Sequence, residues 1–239
     1  MSVSLVGAGP GDPGLITARG LELLRRCEVL VHDRLVAPEL VDEAPSWAVK
    51  IDREPLSQAE INELLVNYGR AGLDVVRLKG GDPYVFGRGG EEAMALSEAG
   101  VPFDVVPGVS SISAVPAAAG IPITHRGVSQ QVTIVPGHDS GRLDYVHLAD
   151  APGTLVIFMG LGSIERLAHG LIDAGKDPDT PAAVIENGTL PGQRMATAPL
   201  SEIAEAAATL EPPALVVVGD VVSVGARIQA GFDLLLSRV

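Results

Sequence analysis

The sequence is poor in cysteine, in aromatic side chains and in positive charge, and each shortage excludes something. Its single cysteine, Cys27, rules out an internal disulfide and a cysteine-based zinc cluster. Lying among apolar residues of an expected helix, Cys27 reads as a buried spectator thiol, and no metal is expected. Aromatics make up 3% of the chain, so the core has to be assembled from Val, Leu, Ile and Ala. Lys and Arg number 17 against 30 Asp and Glu, a formal charge of −13, which argues against nucleic acid or an anionic membrane surface as partner. No apolar run approaches the ~20 residues that span a bilayer. The opening residues, MSVSLVGAGPGDPG, have neither the basic nor the apolar region of a secretory signal, so the expected location is cytoplasmic.

What is present is a globular composition, 46% hydrophobic over 239 residues, arranged as alternating strand-like and helix-like runs. Strands are expected at Val3–Val6, Val29–His32, Val75–Leu78 and Phe103–Val106. Helices are expected at Thr17–Cys27, Ser57–Ala71, Gly90–Ala99 and Ser110–Ala119, the second opened by Ser57 with Glu60 three residues on, a capping box. That alternation predicts an α/β fold with a mostly parallel sheet over residues 1–124. Beyond Gly120–Ser129 the pattern changes. Strand candidates Val132–Val135, Leu155–Phe158, Ala182–Ile185, Gln193–Ala196 and Leu215–Val218 enclose two good helices, Ile164–Ala174 and Leu200–Thr209, which predicts a second α+β domain with a mixed sheet over residues 125–239.

Ligands of open α/β sheets bind where strands end, so the loops after strands carry the functional signal. Gly7-Ala-Gly-Pro-Gly-Asp12 follows a strand and precedes a helix, as in a dinucleotide-binding unit. The spacing is GxGxG rather than GxGxxG, Pro10 removes a backbone donor and Asp12 sets a negative charge where a pyrophosphate would lie, so a nicotinamide cofactor is disfavoured. Gly80-Gly-Asp-Pro83 reads either as a plain turn or as an acceptor-rich loop suited to a ligand with donors and positive charge. In Tyr84–Glu92 an arginine, Arg88, stands among glycines ahead of a helix, placed either to grip a carboxylate or to pair locally with Glu91 or Glu92.

Five segments occur in order: Val6-Gly-Ala-Gly-Pro-Gly-Asp-Pro13, Val76-Arg-Leu-Lys-Gly-Gly-Asp-Pro83, Phe86-Gly-Arg-Gly-Gly-Glu-Glu92, Val106-Pro-Gly108 and Ala119-Gly-Ile-Pro-Ile-Thr-His-Arg126. Together they resemble the tetrapyrrole methylase family over almost the whole chain. The resemblance implies two α/β domains with the active-site cleft between them, a homodimer, and S-adenosylmethionine as methyl donor with S-adenosylhomocysteine as product. The implied donor-binding positions are Pro10, Gly80, Gly81, Asp82, Val85, Ser110, Ser111, Met159 and Gly188. Met159 is also the kind of residue that fills a core. The implied acceptor is the small-molecule tetrapyrrole uroporphyrinogen III, methylated twice on ring carbons to precorrin-2 on the way to sirohaem or cobalamin, with Arg88, Glu91 and Arg126 in contact with it. Arg34, Arg77, Lys79 and His125 are further candidates for its carboxylates. Asp33 stands at the family's proton acceptor and Lys50 near its proton donor. The alternatives are another precorrin methyltransferase, or a protein that binds tetrapyrrole or donor without turnover. The sequence departs from the family pattern at His32, where Tyr is usual, in the shortened Val49–Arg53 segment around Lys50, and at Pro136-Gly-His138, where Thr-Gly-His is common.

Overall fold

The computed structural model describes residues 2–236, and the chain divides into two compact units between Ser111 and Ile112. Each unit carries its own five-stranded sheet.

In the first unit β1 (Val3–Gly7), β2 (Val29–His32), β3 (Val49–Asp52), β4 (Val75–Lys79) and β5 (Phe103–Val106) lie in the order β3-β2-β4-β1-β5, and every pairing is parallel. Side chains of a strand alternate between faces, and these strands use both. Val3, Leu5, Val29, Val31 and Val75 pack with Ile61 and Leu65 of α3 (Gln58–Arg70) and with Ala93 and Leu96 of α4 (Gly89–Glu98). On the other face Val6, Leu30, Val76 and Leu78 meet Leu24 of α1 (Ala18–Leu24) and Leu40 of α2 (Pro38–Glu43). Each fully buried aliphatic side chain stabilises the fold by roughly 1.5–3 kcal/mol, so the sheet is held by helices on both sides. The capping box at Ser57 is present: its hydroxyl accepts from the Glu60 amide and the Glu60 carboxylate accepts from the Ser57 amide.

In the second unit β6 (Val132–Pro136), β7 (Thr154–Phe158), β8 (Pro181–Glu186), β9 (Arg194–Pro199) and β10 (Ala214–Val218) lie in the order β6-β7-β10-β8-β9. The β6–β7 pair is parallel and the other three are antiparallel, the mixed sheet expected from sequence. One face is covered by α6 (Tyr145–Asp150), α7 (Ile164–Asp173) and the short α8 (Ile203–Ala206), through Leu148, Leu167, Leu171 and Ile203. The other meets Val115 of α5 (Ser111–Ala118) and Val221 and Val222 of α9 (Val221–Leu236).

The division falls ahead of the expected boundary at residue 124. Val115 and Ile121 pack with Val156, Ala183 and Leu215 of the second sheet, so α5 and the segment after it belong to the second unit. The helix expected over Leu200–Thr209 shrinks to Ile203–Ala206, because Ile203 and Ala207 are its buried anchors in the core and a run of alanines does not propagate a short helix alone. Among the described residues no helix is long and apolar enough to cross a membrane.

Leu65 is fully buried while Glu63, two residues away on the same helix, is exposed. Leu65→Ala is expected to lower unfolding free energy by about 2–5 kcal/mol, and Glu63→Ala to change it by less than about 0.5 kcal/mol, as read from urea transitions.

Candidate functional site

The five strands of the first sheet share one carboxyl edge. The chain leaves β1 toward β2 and leaves the adjacent β4 in the opposite direction toward β5, so β1 and β4 form the reversal point at which such sheets open a ligand crevice. The loops after β1, β4 and β5 interlock there. A Cβ on Gly7 would lie 2.6 Å from the Gly81 carbonyl oxygen, and one on Gly108 would lie 2.7 Å from the Gly7 Cα. Only glycine permits backbones this close. The Gly81 amide donates to Gly9 O at 2.7 Å and the Ala8 amide to Lys79 O at 2.8 Å. Asp82 fastens the third loop, its Oδ2 accepting from the Gly108 amide at 3.0 Å and its Oδ1 from the Tyr84 amide at 2.9 Å.

Seven of the expected donor-binding residues therefore come together at one edge. Pro10 follows β1; Gly80, Gly81, Asp82 and Val85 follow β4; Ser110 and Ser111 follow β5. A Cβ added to Gly80 would meet only the Leu35 Cβ, at 3.9 Å, and one on Gly81 would meet Ser111 Oγ at 3.8 Å, so the turn presents its backbone to open space.

Beneath this edge lies a charged cluster. Arg77 and Lys79 alternate with Val76 and Leu78 and so share the α3/α4 face of β4, where α4 delivers Glu92. Arg77 donates from Nη2 to Asp33 Oδ1 at 2.5 Å and from Nε to Glu92 Oε1 at 3.0 Å. Lys79 Nζ lies 2.9 Å from both Glu92 oxygens. The side chains of Arg77, Lys79 and Glu92 are at most 1% exposed, whereas Asp33 is 24% exposed and alone reaches solvent. Burial pushes the Lys79 ammonium below its ordinary pKa, and the neighbouring Arg77 charge adds to this against Glu92 and Asp33. Arg77 and Lys79 are thus committed to protein carboxylates, not aimed at a ligand as sequence alone allowed. Glu92 was missed. Its signal was the two-residue spacing of Arg77 and Lys79, which turns both cations toward the covering helix and demands an acid from it.

Arg88 takes up a left-handed conformation (φ 58°) as the residue capping α4, and its guanidinium grips Glu91 bidentately, at 2.8 and 2.7 Å. This is the local pairing that the sequence left open. Hydrogen bonding between them raises the Arg88 pKa and lowers that of Glu91. Both side chains are about half exposed, so the pair stands at the surface.

Lys50 is not brought to this group. It is exposed on the edge strand β3, paired in register with Leu30 and hence on the α1/α2 face, opposite Arg77, and it lies two residues short of that strand's carboxyl end.

In the second unit β6, β7 and β8 point the same way, β7 and β8 both being antiparallel to β10. Met159 follows β7 with φ 52° and a half-exposed side chain, so it is not core filler. Gly188 follows β8 in a turn flanked by Asn187 and Thr189, both left-handed (φ 50° and 72°), and a Cβ there would come within 2.7 Å of the Val115 methyl. The turn is anchored by buried Glu186, which accepts from Arg194 Nη2 at 2.6 Å, the Glu211 amide at 3.0 Å and the Asn187 side chain at 3.2 Å. Arg126 is exposed in the turn bridged by His125 and Ser129 ahead of β6, and the sheet does not gather it with Met159 and Gly188. Among the described residues the non-glycine positions with positive φ are Phe86, Arg88, Met159, Asn187 and Thr189. All five lie on or beside expected contact residues.

The family model for tetrapyrrole (corrin/porphyrin) methylases matches residues 2–204. The chain belongs to the tetrapyrrole methylases. A relative from Methanosarcina barkeri, an S-adenosyl-L-methionine-dependent uroporphyrinogen III methyltransferase, is 48% identical to this tetrapyrrole methylase over 92% of the chain and 91% of its own length. Siroheme synthase 2 of Aeromonas hydrophila is 45% identical over 95% of the chain, which spans about half (50%) of that relative. The crystal structure of uroporphyrin-III C-methyltransferase from Thermus thermophilus, complexed with S-adenosyl homocysteine, matches with a TM-score of 0.83 and 42% identity, covering 94% of this chain and 100% of that one. A cobalt precorrin-4 methyltransferase matches with a TM-score of 0.86 and 27% identity, covering 92% and 95%.

The hydrogen bond from the Glu211 amide, then the Arg194 contact, hold the Glu186 carboxyl below its ordinary value of 4.5 in the folded state. A group with a depressed folded pKa contributes stability that is present above the unfolded pKa and lost as pH falls through the folded one. In the difference between unfolding curves of wild type and Glu186→Gln, the wild-type advantage is expected to be constant above about pH 5 and to shrink as pH falls below 4.5.

Proposed function

We propose that this chain transfers methyl groups from S-adenosylmethionine to two ring carbons of uroporphyrinogen III, giving precorrin-2. The observation that carries this reading is the glycine-open, acceptor-lined edge after β1 and β4, found in a chain that shares 42% identity with an enzyme complexed with S-adenosyl homocysteine. The edge fits such a donor: carbonyls, Ser110, Ser111 and Asp82 suit an amino group and a sulfonium, while nothing in the turn is built for a phosphate.

The donor's chemistry, once bound, is that of an electrophilic methyl whose C–S bond breaks with both electrons kept by sulfur as a ring-carbon π pair forms the new C–C bond. Orientation is then the main task of the protein, and it supplies up to about 7–11 kcal/mol. Pro10, Gly80, Gly81, Asp82, Val85, Ser110 and Ser111 hold the donor, and the family resemblance adds the Met159 thioether and the backbone at Gly188 to its contacts. Arg88 and Arg126 take carboxylates of the acceptor, and Glu91, whose two oxygens both accept from Arg88, orients that guanidinium. Methylation leaves the ring system cationic, and it is neutralised when a proton passes to Asp33. Oδ1 of Asp33 is engaged by Arg77, so Oδ2 receives that proton. The resemblance further supports a homodimer acting in the cytoplasm, with the product passing to sirohaem or cobalamin synthesis. The 0.86 TM-score favours a second reading, a methyltransferase acting on a precorrin.

Anaerobic incubation with the donor and uroporphyrinogen III is expected to give a product heavier by two methyl transfers. Methylation of a precorrin alone would move the assignment to the second reading, and donor binding without turnover would leave a binding protein. Arg88→Ala is expected to raise the acceptor KM by about 1.5–3 kcal/mol equivalent, the scale of a hydrogen bond to a charged group, with the affinity for S-adenosylhomocysteine unchanged in calorimetry.

A further inference from the structure

We propose that Arg77, clamped by Glu92, is a positioning residue for the methyl transfer: it fixes the Asp33 carboxylate at the carboxyl end of β2 so that one oxygen faces the acceptor. This rests on the reading of Asp33 as proton acceptor.

The guanidinium has no freedom left. Its Nε donates to Glu92, its Nη2 to Asp33, and its Nη1 to the carbonyls of Leu78 at 3.2 Å and Val31 at 3.4 Å. At 1% exposure it meets no substrate, so the effect of its charge passes through Asp33. Lys79 completes the arrangement. Glu92 alone would neutralise Arg77; with Lys79 also on Glu92, two cations face two anions, and Arg77 retains attraction for Asp33. Gln58 adds a fourth contact to Glu92 at 3.4 Å. Stability does not account for such a cluster, since buried ion pairs are often matched or surpassed by apolar side chains of similar volume. Orientation does. The guanidinium is a planar fork whose direction is set by several bonds at once, which a lysine's point charge cannot reproduce.

The test compares Arg77→Lys, Asp33→Asn and the double variant in steady-state methyl transfer, with S-adenosylhomocysteine affinity measured alongside. Arg77→Lys is expected to lower kcat by about 10²-fold, the scale of a misplacement of about 1 Å, with acceptor KM and S-adenosylhomocysteine affinity unchanged. The double variant is expected to be no slower than Asp33→Asn alone, because Arg77 acts through Asp33. A wild-type kcat in Arg77→Lys, or a double variant slower by the product of the single effects, overturns the proposal. If Arg77→Lys does not fold, as its thermal transition would reveal, Glu92→Gln takes its place under the same two criteria. Asp33→Asn with undiminished turnover overturns this proposal and the role of Asp33 while leaving the methyl transfer standing; a wild-type protein without turnover removes the function itself.

Discussion

The close approach of three backbones at Gly7, Gly81 and Gly108 is the constraint on which the first unit's carboxyl edge depends. Parallel strands bring their carboxyl ends to one side, but side chains would keep the loops beyond them apart. With hydrogen atoms in place of Cβ groups, the loops after β1, β4 and β5 touch, and the reciprocal hydrogen bonds of Gly9 and Gly81 extend the pairing past the sheet's end. Asp82 then spends both carboxylate oxygens on backbone amides of the same loops. The turn that presents an open face is therefore rigid, which spares a ligand the entropy of ordering it.

The second feature of that edge is how a protein of formal charge −13 manages its cations. Arg77 and Lys79 are withdrawn into the fold and neutralised, while Arg88 stays at the surface. Arg88 is held by Glu91 in an exposed pair, an arrangement weak enough for an incoming carboxylate to share. Burial thus separates Arg77 and Lys79, held inside the fold, from Arg88, which stands in an exposed pair.

Much of the fold was legible in the sequence because its strands are short apolar runs ended by glycine or proline. β2 and β5 have the expected bounds, and Ser57 with Glu60 announced α3 through a local bond that needs no tertiary context. The edge strand β3, three of whose four residues are exposed, carries no such pattern. Nor was the boundary legible: α5 follows the first sheet in the chain but packs on the second, and only tertiary contacts decide that. Of the candidate site, the glycine loops were legible in the sequence: the Gly80–Asp82 turn after β4 and the Gly188 turn after β8 both stand where strands end. The site was not legible at Glu92, whose partner residues lie on a strand, nor at Lys50, whose face is set by the pairing of β3 with β2 and not by residue type. Left-handed Met159 was named by resemblance, yet its conformation is written in no propensity.

The alternation Val75-Val-Arg-Leu-Lys79 in β4 does more than sort side chains between two cores. Valine and leucine tolerate either face of a sheet with helices on both sides, so an apolar strand there would leave its alignment weakly defined. Cations at every second position remove that ambiguity, since a slip of one residue would drive Arg77 and Lys79 into the aliphatic layer under α1 and α2, away from Glu92. The same charges that steady a carboxylate at the edge of the sheet also fix which way the central strand faces.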